Sequence, residues 1–193
     1  MESGTGDAEH KSAYIAFSGE INGRNAEQII ALSVQLTLQG FKRLYFLFST
    51  TGGSVRSGID IYNVLRGLPA QIVFHNVGSV DSIGSTVFLA GDKRYACPQS
   101  AFTFHGLGYD TSGPVRLELK ALQEIMSSMK SDQARLIDVL TDRTYMDSEK
   151  ATEMLREAKT IDAKSALAQG IVHEIQPIAV PQGSAMYAIV TQA

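Results

Sequence analysis

The apolar positions of this chain come in two alternating rhythms, short continuous runs and longer stretches with helical spacing. Tyr14-Ile-Ala-Phe17 is a short apolar strand closed by the turn signal Ser18-Gly19. Ile29, Ile30, Leu32, Val34 and Leu36 then fall on one helical face, with Asn25 as the expected cap and Gly40 as the stop. Arg43 to Phe48 is nearly all apolar, the pattern of a strand buried on both faces of a parallel sheet. Thr51-Gly-Gly53 breaks it. Ser54 or Ser57 opens a helix to about Leu65, and Ala70 to Phe74 forms the next strand. Three strand–helix repeats with short connections imply parallel strands joined by right-handed crossovers.

Downstream, Lys93–Cys97 and Ser100–Phe104 read as two strands separated by Pro98, followed by a Gly/Pro-containing loop over 107–114. From Val115 to about Thr141, Leu117, Leu119, Leu122, Ile125, Met126, Met129, Leu136, Ile137 and Leu140 make one long helical stripe. That stripe is too long to lie on one small sheet. It predicts either a helix wrapped over the domain or an arm that buries its apolar face against another subunit. Asp147 caps a helix to about Ala158, and Asp162 caps a last one before Gly170. Ile171-Val172 reads as a closing strand and Met186–Val190 as an edge strand. The organisation expected is a polar, disordered tail over 1–12, one α/β domain over 13–176 and a C-terminal extension over 177–193.

Composition narrows the function. The 193 residues suit one domain with a sizeable core. A net charge of −3 without a basic run argues against nucleic acid or an anionic membrane as partner. The one cysteine, Cys97, excludes an internal disulfide framework. No apolar run approaches the ~20 residues that span a bilayer, and the N-terminus has no signal-peptide core. The expected compartment is cytoplasmic, with no metal or cofactor.

The chemistry concentrates in Gly78-Ser-Val-Asp-Ser-Ile-Gly84. Ser82 falls where a strand turns sharply into a helix, which lifts its hydroxyl clear and aims free helix N–H groups at whatever it attacks. A serine needs a base within hydrogen-bond reach, and His105, at the end of a strand of the same sheet, is the candidate. A lone strand-end histidine is more often structural; the Ser82 turn tips the balance. The N–H groups of Ile83 and Gly53 are the candidate oxyanion donors. Lys93 or Lys159 as base of a Ser-Lys peptidase, and an acyl-CoA enzyme sharing this fold, are lesser readings.

These motifs resemble, in order over about 14–176, the proteolytic subunit of the caseinolytic (Clp) protease in the ClpP/crotonase superfamily. Ser49-Thr-Thr-Gly-Gly-Ser is similar to that family's Ser-Pro-Gly-Gly turn, and Gly78-x-x-x-Ser82-Ile-Gly84 to its nucleophile segment. Leu89–Pro98, Phe104-His105 and Ala163-x-x-Ala-x-x-x-Gly170 resemble the stretches that follow. The resemblance implies repeated β-β-α units with a protruding handle helix, here about 115–141, and a Ser-His-Asp peptidase in stacked rings of identical subunits. A peptide or unfolded protein would lie as an extended strand beside Ser54 and Val55 and beside Gly106 and Leu107. Two departures stand out. Counting back from Gly170, the family's triad aspartate falls on Ala158, beside Glu157; a shifted carboxylate, a Ser-His dyad and an inactive homologue are all compatible with that. Only thirteen residues precede Tyr14, where the family carries a longer segment engaging its hexameric ATPase, so a Clp-type ATPase partner is left open.

Overall fold

A computed structural model describes residues 11–108, 113, 116 and 118–191. Its frame is an eight-stranded sheet. Strands β1 (Ser12–Ser18), β2 (Arg43–Thr50) and β3 (Gln71–Asp81) pair in parallel, with helices α1 (Gly23–Leu38) and α2 (Val55–Gly67) as the crossovers. One face is a packed aromatic layer. Phe17 stacks on Phe48, Phe46 on Phe74, and Phe88 meets both Phe74 and Phe102. Each of these rings is fully buried, so the layer both fixes register and sets the height at which the strand ends emerge.

The β3 strand decides where the site lies. It runs eleven residues, well past Phe74, because Asn76 Nδ2 donates to Ala101 O and Gly78 N–H to Asn76 Oδ1, which satisfies polar groups the pattern read as a turn. It therefore pairs with two later strands, β4 (Lys93–Ala96) near its middle and β5 (Ala101–Thr103) at its end. The helix after Ser82, α3 (Gly84–Phe88), is five residues long.

Helix α4 (Leu119–Arg143) has 25 residues, about 37 Å at 1.5 Å per residue. Only its last third reaches the core, through Leu136 and Leu140. Leu119 and Met126 are 73% and 55% exposed, so the stripe lies on a projecting arm. Helix α5 (Ser148–Glu157) and strand β6 (Thr160–Asp162) follow, and β6 pairs antiparallel with β5. Helix α6 (Ala163–Ala168), β7 (Glu174–Ile175) and β8 (Ala185–Ile189) complete the chain, with β8 adding to the edge of β1.

Several boundaries move from the sequence reading. Asn22, not Asn25, caps α1, accepting the Asn25 N–H at 2.9 Å. Ser54, the first of the two candidates, caps α2. The closing strand is Glu174–Ile175, since Ile171 and Val172 are buried in a turn. Strand β6 was hidden in the sequence because Asp162 ends it and also caps α6.

Arg94, 3% exposed, joins the arm to the sheet, with no carboxylate partner among the described residues. Its guanidinium donates to the carbonyls of Gly91, Arg143, Gly170 and Ile171 at 2.8–3.2 Å. These carbonyls lie at helix C-termini, where acceptors are orphaned and the dipole favours a cation. Burial first, then the neighbouring Arg143 cation, lowers its pKa to about 10, so it stays charged at neutral pH. Replacing Arg94 with Leu strands three acceptors, the carbonyls of Arg143, Gly170 and Ile171, while Gly91 O keeps its bond from Arg143. The change should cost roughly 3 kcal/mol or more, measured by denaturant unfolding; a loss under about 1 kcal/mol would mean the carbonyls find other donors.

The adjacent His173 accepts the Arg94 N–H at its Nδ1, 3.1 Å away. Burial, then Arg94, Lys93 and Arg143, lowers its pKa to about 4, although part of the residue meets solvent. The unfolded histidine takes a proton near pH 6.5 while the folded one refuses it until about pH 4. This contribution is therefore complete above pH 6.5 and is lost as the pH falls toward 4. Thermal unfolding of His173→Asn, which keeps an acceptor, should drop less between pH 7 and pH 4.5 than the wild type; equal drops would remove His173 from the account.

Candidate active site

Ser82 has φ 55°, a left-handed backbone rare for a residue with a side chain. Its N–H donates to Thr103 O at 2.7 Å, and its carbonyl accepts the Ser85 N–H at 3.0 Å. The turn is thus held between β5 and α3 by its own main chain. Gly52, φ 87°, packs against it: a Cβ there would stand 2.6 Å from Ser82 Cβ and 2.9 Å from Asp81 O. The sequence reading gave Gly52 no role of its own.

Gly53 has φ 142°, and a Cβ on it would meet Ile21 O at 2.3 Å. Ile21 donates to Gly52 O and accepts from Ser54 N–H, both at 2.7 Å. In a parallel bridge of this kind the middle residue's own N–H and C=O face the other way. The Gly53 amide therefore points away from Ile21, as an oxyanion donor must. The Ile83 side chain is buried and its residue opens α3. Ser54 has its groups engaged: N–H to Ile21, carbonyl from Gly58, and Oγ from Ser57 N–H.

His105 lies two residues past β5, exposed, with Nδ1 2.8 Å from the carbonyl of Gly106. A carbonyl only accepts, so Nδ1 must carry the hydrogen. In the neutral ring Nε2 is then the unprotonated nitrogen, the tautomer a base for serine requires. Among the described residues no carboxylate bonds Nδ1. The register of β5 and β6 explains why. Ala101, Phe102 and Thr103 oppose Asp162, Ile161 and Thr160, and Phe104 N–H donates to Lys159 O at 2.9 Å. Carrying that register on by one step would set His105 opposite Ala158. Ala158 is itself left-handed, φ 50°, at the end of α5, and offers only a methyl group. Glu157 lies within 4.0 Å of Lys159 instead.

Ser82, Ile83, His105, Val55 and Leu107 line one pocket. Its remaining wall comes from Ser85, Thr86, Phe104 and the ends of α4 and α5 at Leu136, Leu140 and Leu155. Sequence reasoning missed these last residues because they approach from elements far along the chain. Ser82 and His105 make no hydrogen bond to each other; His105 Nδ1 is bonded to Gly106 O instead. Gly106 and Leu107 open onto a groove against Met126 and Met129 of α4, and Val55 and Leu107 onto a second against Ile125. Among the described residues no cluster of His, Cys, Asp and Glu could hold a metal, and no helix is long and apolar enough to cross a membrane.

A sequence profile of the Clp protease family matches residues 7–178. The ATP-dependent Clp protease proteolytic subunit 1 of Leifsonia xyli is 26% identical over 137 residues, 69% of each chain. Subunit 2 of Pseudomonas aeruginosa is 26% identical over 68% of this chain and 65% of its own. A chloroplastic proteolytic subunit-related protein 2 of Arabidopsis thaliana is 23% identical over 88% of this chain, which spans 60% of that relative. The solved structure of a ClpP1 mutant from Listeria monocytogenes aligns with a TM-score of 0.74 at 20% identity, covering 87% of this chain and 92% of its own. A profile running through the sheet, the serine turn and the arm, on a backbone that follows a solved ClpP, settles the kinship: this chain belongs to the Clp protease family.

Proposed function

We propose that this chain is a serine-type endopeptidase, working as a proteolytic subunit in a ring of like subunits. The observation that carries the reading is the Ser82 turn, strained to φ 55° and sharing one pocket with a histidine whose Nδ1 is tied to a carbonyl. Ser82 Oγ attacks the scissile carbonyl, and His105 Nε2 takes its proton once the ring swings into reach. The N–H groups of Gly53 and Ile83 receive the oxyanion. His105 then returns the proton to the leaving amine, and water repeats the cycle on the acyl-enzyme. The peptide lies beside Gly53–Val55 on one side and Gly106–Leu107 on the other, held through its main chain.

The exposed stripe of α4 supports assembly, since Leu119, Leu122 and Met126 are 73%, 41% and 55% exposed. An apolar face of this length is stable in water when a second surface covers it. The relatives' names include "ATP-dependent", which makes a Clp-type ATPase a candidate partner here as well.

Among the described residues no carboxylate stands behind His105. A carbonyl fixes the tautomer but does not balance an imidazolium as a carboxylate does, and losing that partner costs up to about 10⁴-fold in turnover. Ala158 thus favours a second reading, a weak or inactive homologue serving as a structural or regulatory ring subunit. A fluorophosphonate probe separates the two. Labelling of the wild type but not of Ser82→Ala, with fluorogenic peptide hydrolysis falling at least about a thousandfold in the variant, supports the peptidase. A wild type that neither labels nor cleaves supports the second reading, and cleavage that survives in Ser82→Ala overturns the assignment of the nucleophile.

Ala158→Asp tests the ladder. Aspartate tolerates the left-handed backbone, and a carboxylate opposite His105 should raise kcat/KM tenfold or more. An unchanged or lower rate would show that residue 158 does not face the imidazole.

A further inference from the structure

The pocket beside Ser82 holds one buried polar atom with no partner among the described residues. Ser85 is 2% exposed, and its Oγ makes no hydrogen bond with any protein group. A buried unpaired hydroxyl is costly, and native proteins leave few of them. Ser85 is one turn into α3 from the nucleophile and lines the same pocket as Ser82 and His105. The rest of the wall is mainly apolar: Val55, Phe104, Leu107, Leu136, Leu140 and Leu155. Two other buried side-chain oxygens among the described residues, Gln28 Oε1 and Gln169 Oε1, are also unpaired, but neither lines this pocket, and other buried polar groups have partners. Ser33 Oγ donates to Ile29 O, Ser100 Oγ to Cys97 O, and the His75 ring is bonded on both nitrogens.

We propose that the Ser85 hydroxyl is a specificity group, which hydrogen-bonds the side chain of the substrate residue just before the scissile bond and favours a small hydroxyl-bearing residue, threonine or serine. The proposal rests on Ser82 as the nucleophile, because that places the pocket next to the bond under attack. Size and chemistry point to the same side chains. The free space is about 10 Å³, room for about one water-sized group. A leucine or phenylalanine side chain demands that the walls part; a hydroxyl on a short stem does not. A serine hydroxyl can donate or accept, so it matches another hydroxyl in either sense. An isosteric valine presents a methyl to the same oxygen and leaves it unpaired, and a site built to bond a hydroxyl penalises that loss.

The test uses pairs of otherwise identical peptides carrying Thr or Val at that position. Binding is measured by calorimetry to full-length Ser82→Ala protein, so it does not depend on turnover. The Thr peptide should bind roughly 3- to 10-fold more tightly than the Val peptide, the range one net hydrogen bond gives. Adding Ser85→Ala should bring the ratio to about one, and Ser85→Cys, a weaker donor of similar size, should leave it in between. A Thr/Val ratio that Ser85→Ala does not change, a preference for Val in the parent protein, or no binding of either peptide overturns the proposal. Wild-type protein that cleaves none of the peptides overturns the peptidase reading instead, which is a separate result.

Discussion

The site depends on a contact between two loops with no room for a side chain between them. Gly52, at the end of β2, and Ser82, at the end of β3, press together so closely that a single added carbon would stand 2.6 Å from Ser82 Cβ. The aromatic layer beneath sets both strands at the height where this contact forms, and Thr103 O pins the serine turn from the third strand. The left-handed backbone at Ser82 costs about 1–2 kcal/mol. Neighbours on three sides hold it there, which is how a strained residue persists in a folded chain. A larger residue at Gly52 would push the serine off the turn before it touched any substrate.

A second constraint works at the other end of the sheet. Arg94 gathers carbonyls from the ends of α3, α4 and α6, and Arg143 adds bonds to Leu89 O and Gly91 O. The arm is therefore fixed at its root by charge-assisted bonds and by Leu136 and Leu140, while its far end carries an uncovered stripe. Those two leucines also wall the pocket beside Ser82. A force applied to the arm would reach the site through them.

Most of the frame was legible because its signals are local. Continuous apolar runs gave β1, β2 and the start of β3, and helical spacing gave α1, α2 and α4. Ser82 and His105 stood out because their surroundings, a Gly-flanked turn and a strand end, can be read from neighbours in sequence. What escaped depended on distant partners. The second half of β3 looked like a turn until Ala101 O was there to satisfy Asn76. Strand β6 is three residues long and exists because β5 offers it an edge. Ser85 follows Gly84 in plain view, but its significance depends on walls from α4 and α5 that a sequence scan cannot assemble. The missing aspartate could be counted from Gly170; that β5 and β6 run antiparallel, on a register that points His105 toward Ala158, needed the fold.

The bond from His105 Nδ1 to Gly106 O has a consequence for how this site can change over generations. A carboxylate partner is one codon away from loss, and its removal is felt at once. A main-chain acceptor belongs to every residue type, so no side-chain substitution at position 106 deletes it. The tautomer of His105 is thus buffered against point mutation, and only a shift in the path of the loop can undo it. A lineage carrying this arrangement could drift at residue 158 while its histidine kept the same nitrogen bare.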